Sequence, residues 1–294
     1  MITYGSSSRY LAEAVGRECN IKVVESICRR FPDGEQYVRV LGDVRGEDVV
    51  LFQSLAFSPD SLLLEFIFLA DALRAAGCRS ITAVIPYLAY LRQDSRFHHG
   101  EALSARVVAS LIESYADRLI TVDAHLHRFK SLSELFRIPS LNLTAMPILA
   151  EYYRRNFGTE ETVVVAPDIE AEQWAKIVAE HLSLPYTIFE KERLGDKEVS
   201  ITLKDGGLVR EKNVIIVDDI ISTGATLIEV LSRLFKERAK KVDALVTHAL
   251  LVEGAYERLK GAGLGEIIST DTVQSRSSKV SVAPIIAEAI MRRL

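Results

Sequence analysis

The stretch VIIVDDIISTGATLIEV, residues 214–230, is the most informative part of this sequence for the fold. A short run of branched aliphatic residues ends in Asp218 and Asp219, and an apolar pattern at helical spacing follows from about Ala225. Strand, turn and helix in this order form the repeating unit of an open parallel sheet, in which ligands bind beyond the carboxyl ends of the strands. The stretch therefore predicts an α/β fold with a ligand site in its loop.

The residue types in the loop 219–226 suit a phosphorylated sugar. Successive N–H groups of a tight turn bind phosphate when a helix N-terminus adjoins them, and Thr223 and Thr226 add hydroxyl donors. Gly224 permits the backbone conformations that such a turn requires. The two carboxylates repel phosphate but accept hydrogen bonds from sugar hydroxyls. The alternative is a simple helix cap, which is common for an isolated pair of polar residues but not for this density of them.

The rest of the chain alternates short β-branched runs with amphipathic stretches. This alternation predicts two similar domains, each a mainly parallel sheet flanked by helices, with the boundary near Pro147. Helices are expected at about 60–76 and 102–115. The predicted domains are 1–144 and 145–294, with roughly the last 14 residues able to pack back on the first domain. The strand candidates are 2–5, 49–53, 81–86, 119–125, 162–168, 186–190, 214–219, 244–251 and 266–270.

The composition argues against several classes of protein. With 294 residues, 48% of them hydrophobic, the chain can bury one large or two ordinary cores. A net charge of −4 argues against a general nucleic-acid binder. Three scattered cysteines without a CxxC spacing indicate neither a disulfide framework nor a zinc site. The start is not signal-like and no apolar run approaches roughly 20 residues, so we expect a cytoplasmic protein without membrane or nucleic-acid partners.

The stretch 214–226 resembles the phosphoribosyl diphosphate (PRPP) loop of the type I phosphoribosyltransferase fold. That resemblance alone fits enzymes that consume PRPP and enzymes that make it from ATP and ribose 5-phosphate. Three further stretches, in the same order along the chain, resemble the ribose-phosphate diphosphokinase family. They are FPDGEQYVRV (31–40), similar to its ATP-recognition hairpin, PYLAYLRQDSRFHHGEALSARVVASLIE (86–113), similar to its ATP-phosphate segment, and VDAHLHRF (122–129), similar to its metal-binding turn.

The hairpin stretch has residues that suit a purine. Phe31 offers an aromatic face, and Asp33 and Glu35 offer acceptors for an exocyclic amine. From the residues alone, an ordinary Asp-Gly turn between edge strands is the stronger interpretation, and the resemblance reverses that preference. The resemblance implies that ATP binds at Phe31, Asp33, Gly34 and Glu35.

Two charged patterns in the first domain suit a nucleotide phosphate and a metal ion. Arg92 and Arg96 are able to converge on a triphosphate with Gln93 beside them, although a solvated charged face explains the pattern equally well. Asp123 and His125 lie two apart at a strand end and are placed to reach one divalent ion, although a lone D-x-H pair is more often structural. The resemblance assigns Arg92, Gln93 and Arg96 to ATP and His125 to Mg²⁺, the cofactor that it implies.

The stretch IFEKERLGDKEVS (188–200) distinguishes best between the two kinds of enzyme. Lys191 and Arg193 lie on one side of an extended segment, so both cations reach the same phosphoryl group. Alone, K-x-R is a frequent surface pattern. The resemblance matches this pair to the catalytic lysine and arginine of the family, and it matches Asp168 to a residue with a metal or ribose role.

The resemblance also implies the reaction: the diphosphoryl group of MgATP moves to O1 of ribose 5-phosphate, giving PRPP and AMP. A non-catalytic regulatory subunit and a phosphoribosyltransferase that consumes PRPP are the alternatives. The family implies a homo-oligomer whose subunits share the ATP site. Ala225 stands where most relatives have glycine, which a phosphate loop tolerates if its φ is negative. The ribose 5-phosphate residues are Arg193, Asp218, Asp219, Ser222, Thr223, Gly224, Ala225 and Thr226.

Overall fold

The computed structural model of the chain describes residues 1–193 and 199–292. It divides into two compact units, the first formed by Met1–Thr144 and the segment from Val282 onward, and the second by Ala145–Ser281. Each unit contains a mainly parallel sheet with helices between its strands. The predicted α/β fold class is confirmed.

The first unit has a five-stranded sheet in the order β1-β4-β5-β6-β7, and every neighbouring pair is parallel. Strands β2 and β3 form a separate antiparallel hairpin. Its elements are β1 (Ile2–Tyr4), α1 (Arg9–Cys19), β2 (Ser26–Arg30), β3 (Gln36–Val40), β4 (Asp48–Phe52), α2 (Pro59–Ala75), β5 (Ser80–Val84), α3 (Ser104–Tyr115), β6 (Arg118–Val122) and β7 (Ser140–Leu143).

The second unit has a seven-stranded sheet in the order β10-β9-β8-β11-β12-β13-β14. All neighbouring pairs are parallel except β9 and β10. Its elements are α4 (Met146–Phe157), β8 (Thr162–Ala166), α5 (Glu172–Leu182), β9 (Tyr186–Arg193), β10 (Val199–Leu203), β11 (Asn213–Ile221), α6 (Ala225–Lys236), β12 (Lys241–Ala249), α7 (Ala255–Gly261), β13 (Ile267–Thr270) and β14 (Ser278–Val280).

The final helix, α8 (Ala283–Met291), belongs to the first unit. It packs on α1, where the Sγ of Cys19 lies 3.6 Å from the carbonyl oxygen of Ala287. The first unit is therefore built from two separate segments of the chain.

The central strands read as continuous apolar runs because helices cover both faces of a parallel sheet. In β4, Val49, Leu51 and Phe52 are all at most 1% exposed, and in β11 four buried residues, 214–217, follow the first residue. Since parallel strands end at a common edge, the polar segments that follow β4, β6, β8 and β11 open on the carboxyl edge of each sheet. Within the described ranges, each helix is too short or too polar to span a bilayer.

Candidate active site

The Phe31–Glu35 turn joins β2 and β3 and forms the exposed tip of the hairpin. The N–H of Phe31 donates to the carbonyl of Glu35 at 2.8 Å, and the Oδ1 of Asp33 accepts from the N–H of Glu35 at 3.2 Å. Gly34 has a φ of 96°, a conformation that strongly favours glycine. The sequence-predicted nucleotide residues of the hairpin thus share one tight turn.

Phe31 is 39% exposed and stands in a small cation–aromatic cluster. Its ring meets Tyr37 edge to face, with the centroids 5.7 Å apart. The guanidinium of Arg29 lies 4.9 Å from the Phe31 centroid and 4.3 Å from that of Tyr37. These contacts restrain the ring without burying it, so an aromatic surface is left for a flat ligand.

The segment 92–101 has no regular secondary structure and folds around Glu101. The Oε2 of Glu101 accepts from the N–H groups of Phe97 at 2.7 Å and His98 at 3.0 Å, and from the Nε2 of Gln93 at 3.2 Å. The Nε of Arg96 donates to the carbonyl of Glu101 at 3.0 Å. Glu101 was not predicted from the sequence, although it is one of only two acids, with Asp94, in a basic segment.

An ion pair connects this segment to the turn after β6. Asp94 has a side chain that is only 6% exposed, and its Oδ1 lies 3.4 Å from the Nε of Arg128. Its Oδ2 also accepts from the N–H of Arg128 at 3.2 Å. The structure thereby brings the predicted ATP-phosphate segment and the predicted metal turn together in the first unit.

In that turn, Asp123 is 2% exposed and has a φ of 38°, which is uncommon for a residue with a side chain. Its N–H donates to the carbonyl of Leu143 at 2.7 Å, which holds the turn against the end of β7. The rings of His125 and His127 lie with their centroids 3.8 Å apart and their Nε2 atoms facing each other. The turn beyond β6 therefore carries two adjacent imidazoles and, two residues before them, a buried carboxylate.

In the second unit, the loop after β11 has the conformation of a phosphate-binding turn. Gly224 has a φ of 74° and immediately precedes α6, so a left-handed residue leads directly into a helix N-terminus. Ala225 is the first residue of α6 and has a negative φ. The departure from glycine at Ala225 is therefore compatible with the turn. A Cβ at Gly224 would lie 3.1 Å from the Leu259 side chain.

The loop is supported from α7 by a residue that the sequence did not single out. The Nη2 of Arg258 donates to the carbonyl of Thr223 at 2.7 Å, and its Nη1 donates to the carbonyl of Glu253. Arg258 thus holds the backbone just before Gly224, and the next two residues, Ala225 and Thr226, are exposed at the start of α6. An arginine late in a short helix carried no sequence signal for this contact.

Three carboxylates meet just past the point where the pairing of the adjacent strands β8 and β11 ends. Asp219 is 1% exposed, and its N–H donates to the Oδ1 of Asp218 at 2.9 Å. Asp168 follows β8, and its Oδ1 accepts from the N–H of Ala171 at 3.0 Å, just before α5. Burial, followed by the negative charges of Asp219 and Asp168, raises the pKa of Asp218 well above its usual range. This site favours hydroxyl donors or a cation.

Lys191 and Arg193 lie on the part of β9 that continues past the parallel pairing. That pairing with β8 ends at Ile188, and beyond it β9 pairs with β10, with Lys191 opposite Ile201 and Arg193 opposite Val199. The backbone thus carries both residues beyond the carboxyl edge of the sheet. Their side chains lie outside the described part of the chain.

The chain matches the N-terminal domain of ribose phosphate pyrophosphokinase over residues 1–115 and the phosphoribosyl transferase domain over residues 131–277. A ribose-phosphate pyrophosphokinase of Methanobrevibacter smithii is 38% identical, with 99% of each chain covered. One of Methanopyrus kandleri is 42% identical, with 89% of this chain and 88% of the relative covered. A crystal structure of phosphoribosylpyrophosphate synthetase from Mycobacterium smegmatis superposes with a TM-score of 0.88 at 31% identity, covering 99% of this chain and 97% of the other. The chain belongs to the ribose-phosphate pyrophosphokinase family.

Proposed function

We propose that this protein transfers the diphosphoryl group of MgATP to O1 of ribose 5-phosphate, giving PRPP and AMP. One observation carries the proposal: the relationship covers both units at full length, including the N-terminal domain of ribose phosphate pyrophosphokinase. A phosphoribosyltransferase that only consumes PRPP would account for the second unit alone.

In this proposal the first unit binds ATP. The exposed Phe31 ring stacks on adenine, and acceptors of the hairpin tip take hydrogen bonds from its amine. The segment 92–101, held by Glu101 and Asp94, presents cations and an amide to the phosphates. The proposed ATP-binding residues are Phe31, Asp33, Gly34, Glu35, Arg92, Gln93 and Arg96.

The second unit binds ribose 5-phosphate at the loop after β11. The turn at Gly224 and the N-terminus of α6 take the 5-phosphate, and the carboxylates of Asp218 and the buried Asp219 accept hydrogen bonds from the ribose hydroxyls. Hydroxyl donors replace the solvation lost on burial and offset the repulsion by Asp219 and Asp168, the causes that raise the pKa of Asp218. The proposed residues are Arg193, Asp218, Asp219, Ser222, Thr223, Gly224, Ala225 and Thr226.

The candidate metal residues fit Mg²⁺ that arrives with a phosphate ligand. No group of three His, Cys, Asp or Glu side chains within residues 1–193 and 199–292 is arranged to hold an ion alone. Mg²⁺ usually keeps several waters and binds one or two carboxylates together with substrate phosphates, so Asp123 and Asp168 suit it as single carboxylate ligands. His125 fits a role through water, because Mg²⁺ prefers oxygen ligands. When bound, the ion neutralises phosphate charge.

The residues of this chain then act by positioning and charge. The O1 hydroxyl of ribose 5-phosphate attacks the β-phosphorus of ATP, and the bond to the α-phosphate oxygen breaks, so that AMP leaves. Lys191 and Arg193 stabilise the charge that develops on the transferred oxygens.

Product analysis tests the proposed reaction. Incubation with Mg²⁺, ATP and ribose 5-phosphate is expected to release AMP and PRPP in equal amounts. Lys191→Ala is the matched control, with kcat lowered by roughly 100-fold and substrate binding little changed. ADP as the nucleotide product would indicate an ordinary kinase, and binding of both substrates without turnover would indicate a regulatory subunit.

We also propose a cytoplasmic homo-oligomer whose ATP site is shared between subunits. The proposal is supported by the partial exposure of Phe31 on a projecting hairpin. A Phe31→Ala, Glu35→Ala chain and a Lys191→Ala chain would each be nearly inactive, but a mixed two-fold pair contains one intact site. Random exchange is expected to restore roughly a quarter of wild-type activity. Failure to restore activity after exchange is shown by mass spectrometry would place the site within one chain.

A further inference from the structure

Glu65 is a buried carboxylate in the middle of α2, in a stretch that is otherwise apolar. The residue is 3% exposed, and Phe66 and Leu69 beside it belong to the core. Its Oε1 accepts from the N–H of Ser6 at 2.6 Å and the Nε2 of Gln53 at 2.9 Å. Its Oε2 accepts from the Nε2 of Gln36 at 2.6 Å and the Oγ of Ser6 at 3.1 Å. Four donors thus offset the cost of burying this carboxylate.

One of these donors belongs to the base of the hairpin tip. Gln36 pairs in register with Arg30, and the two residues flank the tip 31–35. The Nη2 of Arg30 donates to the Oγ of Ser61 at 2.7 Å. Ser61 and Glu65 are four residues apart and therefore lie on one face of α2. The base of the tip is consequently attached to α2 at two successive turns.

The position of the Glu65 carboxylate is tightly restricted from the side of β1. A Cβ at Gly5 would overlap the side-chain amide of Gln53 and lie 2.8 Å from the Oε1 of Glu65. The Oγ of Ser7 donates to the Oε1 of Gln53 at 2.9 Å and to the carbonyl of Ser54 at 2.7 Å. The loop after β1 therefore fixes Gln53, and Gln53 in turn holds the carboxylate.

We infer that Glu65 is a positioning residue for the nucleotide, acting through Gln36 on the orientation of the Phe31–Glu35 tip. The inference rests on the proposed function, in which that tip binds the base of ATP. The tip is exposed, so its orientation depends on how its base is held. A carboxylate is suited to this task because it only accepts hydrogen bonds, and three residues, Ser6, Gln36 and Gln53, donate four of them to it.

Substrate kinetics of four variants test the inference. Glu65→Ala is expected to raise the KM for ATP about 10-fold and Gln36→Met about threefold, with kcat and the KM for ribose 5-phosphate within about twofold of wild type. Glu65→Gln keeps the shape and one acceptor oxygen but turns the other acceptor into a donor, so its KM for ATP is expected to lie between those of the wild type and Glu65→Ala. The double variant Glu65→Ala, Gln36→Met is expected to have the same KM for ATP as Glu65→Ala alone, because each single change already removes the hydrogen bond between Gln36 and Glu65.

Two measurements separate failure of the inference from failure of the proposed function. Wild-type protein that neither binds ATP nor releases AMP would overturn both. If the wild type is active and Phe31→Ala raises the KM for ATP, an unchanged KM for ATP in folded Glu65→Ala and Gln36→Met overturns only the role of Glu65. If the Glu65 variants lose thermal stability and their KM values for ATP and for ribose 5-phosphate rise equally, Glu65 has a merely structural role. That outcome also overturns the inference.

Discussion

Glu65 and Asp243 are both deeply buried carboxylates, yet they lie at different edges of their sheets. Glu65 binds donors from the segments that directly follow β1 and β4, at the carboxyl edge of the first unit. Asp243 is 0% exposed and is the third residue of β12, at the amino edge of the second unit. It accepts from the Oη of Tyr153 at 2.8 Å, the Nζ of Lys241 at 2.7 Å and the N–H of Glu266 at 2.6 Å.

The two networks have similar chemistry and different expected roles. In an open parallel sheet the ligand side is the carboxyl edge, so a carboxylate there acts on the segments that meet substrate. A carboxylate at the amino edge can fasten helices and strands together without affecting the site. The edge of the sheet at which a buried acid lies therefore predicts whether it affects substrate binding or only stability.

Replacing Asp243 is expected to give the largest loss of stability. Asp243→Asn keeps the volume but removes the charge and turns one acceptor into a donor, so unfolding free energy should fall by about 2–3 kcal/mol. Tyr153→Phe, which loses a single hydrogen bond, should cost about 1 kcal/mol. Urea unfolding measures both values. A KM for either substrate changed by more than about threefold would break the distinction between the two edges.

Two glycines sharpen the comparison, because each lies against one of these carboxylates. A Cβ at Gly265 would overlap the Oδ1 of Asp243, and a Cβ at Gly5 would overlap the side-chain amide of Gln53, which holds Glu65. Gly5→Ala and Gly265→Ala are each expected to cost about 1–2 kcal/mol through overpacking. Only Gly5→Ala should also raise the KM for ATP. An equal effect of both variants on that KM would contradict the assignment by edge.

Each carboxylate also raises the pKa of a neighbouring acid. Burial, and then the charge of Glu65, raises the pKa of the Cys28 thiol from 9.0 to about 12. Burial, and then Asp243, raises the pKa of Tyr153. Between pH 9 and 12 the unfolded chain releases a thiol proton that the folded chain keeps, so stability is lost as pH rises.

Cys28→Ala is therefore expected to reduce the alkaline loss of stability by up to about 1 kcal/mol between pH 8 and pH 10.5. Urea midpoints of the wild type and the variant at the two pH values measure it. An unchanged pH dependence in Cys28→Ala would show that the thiol is not shielded as described.

The smallest effect on stability is expected for an exposed ion pair, Glu257 and Arg276. The Oε1 of Glu257 lies 2.8 Å from the Nη1 of Arg276, and the two side chains are 62% and 63% exposed. Glu257→Gln is expected to change unfolding free energy by less than about 0.5 kcal/mol, because water and salt screen such pairs. A larger loss of unfolding free energy would mean that the exposure of a carboxylate does not indicate how much it stabilises this protein.

The sequence predicted the local structure around the informative loop well. The strand predicted at 214–219 lies within β11, and α6 begins at Ala225 as expected. Such segments carry their signal in neighbouring residues, since a buried apolar run and a helical pattern are both local. By contrast, β7 has the sequence SLNL and is only half-buried, so no apolar run marked it.

Contacts between distant segments were not predictable in the same way. Asp94 and Arg128 are 34 residues apart, and Thr223 and Arg258 are 35 apart, so no spacing rule links them. Glu65 did leave a signal, because it is the lone charge within the apolar run 62–70. A charge that interrupts a core pattern indicates a buried network, but not which segments supply its partners.

The position of α8 has a consequence for synthesis on the ribosome. The first unit begins the chain, but α8 emerges only after every element of the second unit has been translated. Until then α1 exposes the surface that α8 covers, so the first unit lacks one of its helices when all segments of the second unit have already been translated. The unit whose translation begins first is therefore completed last.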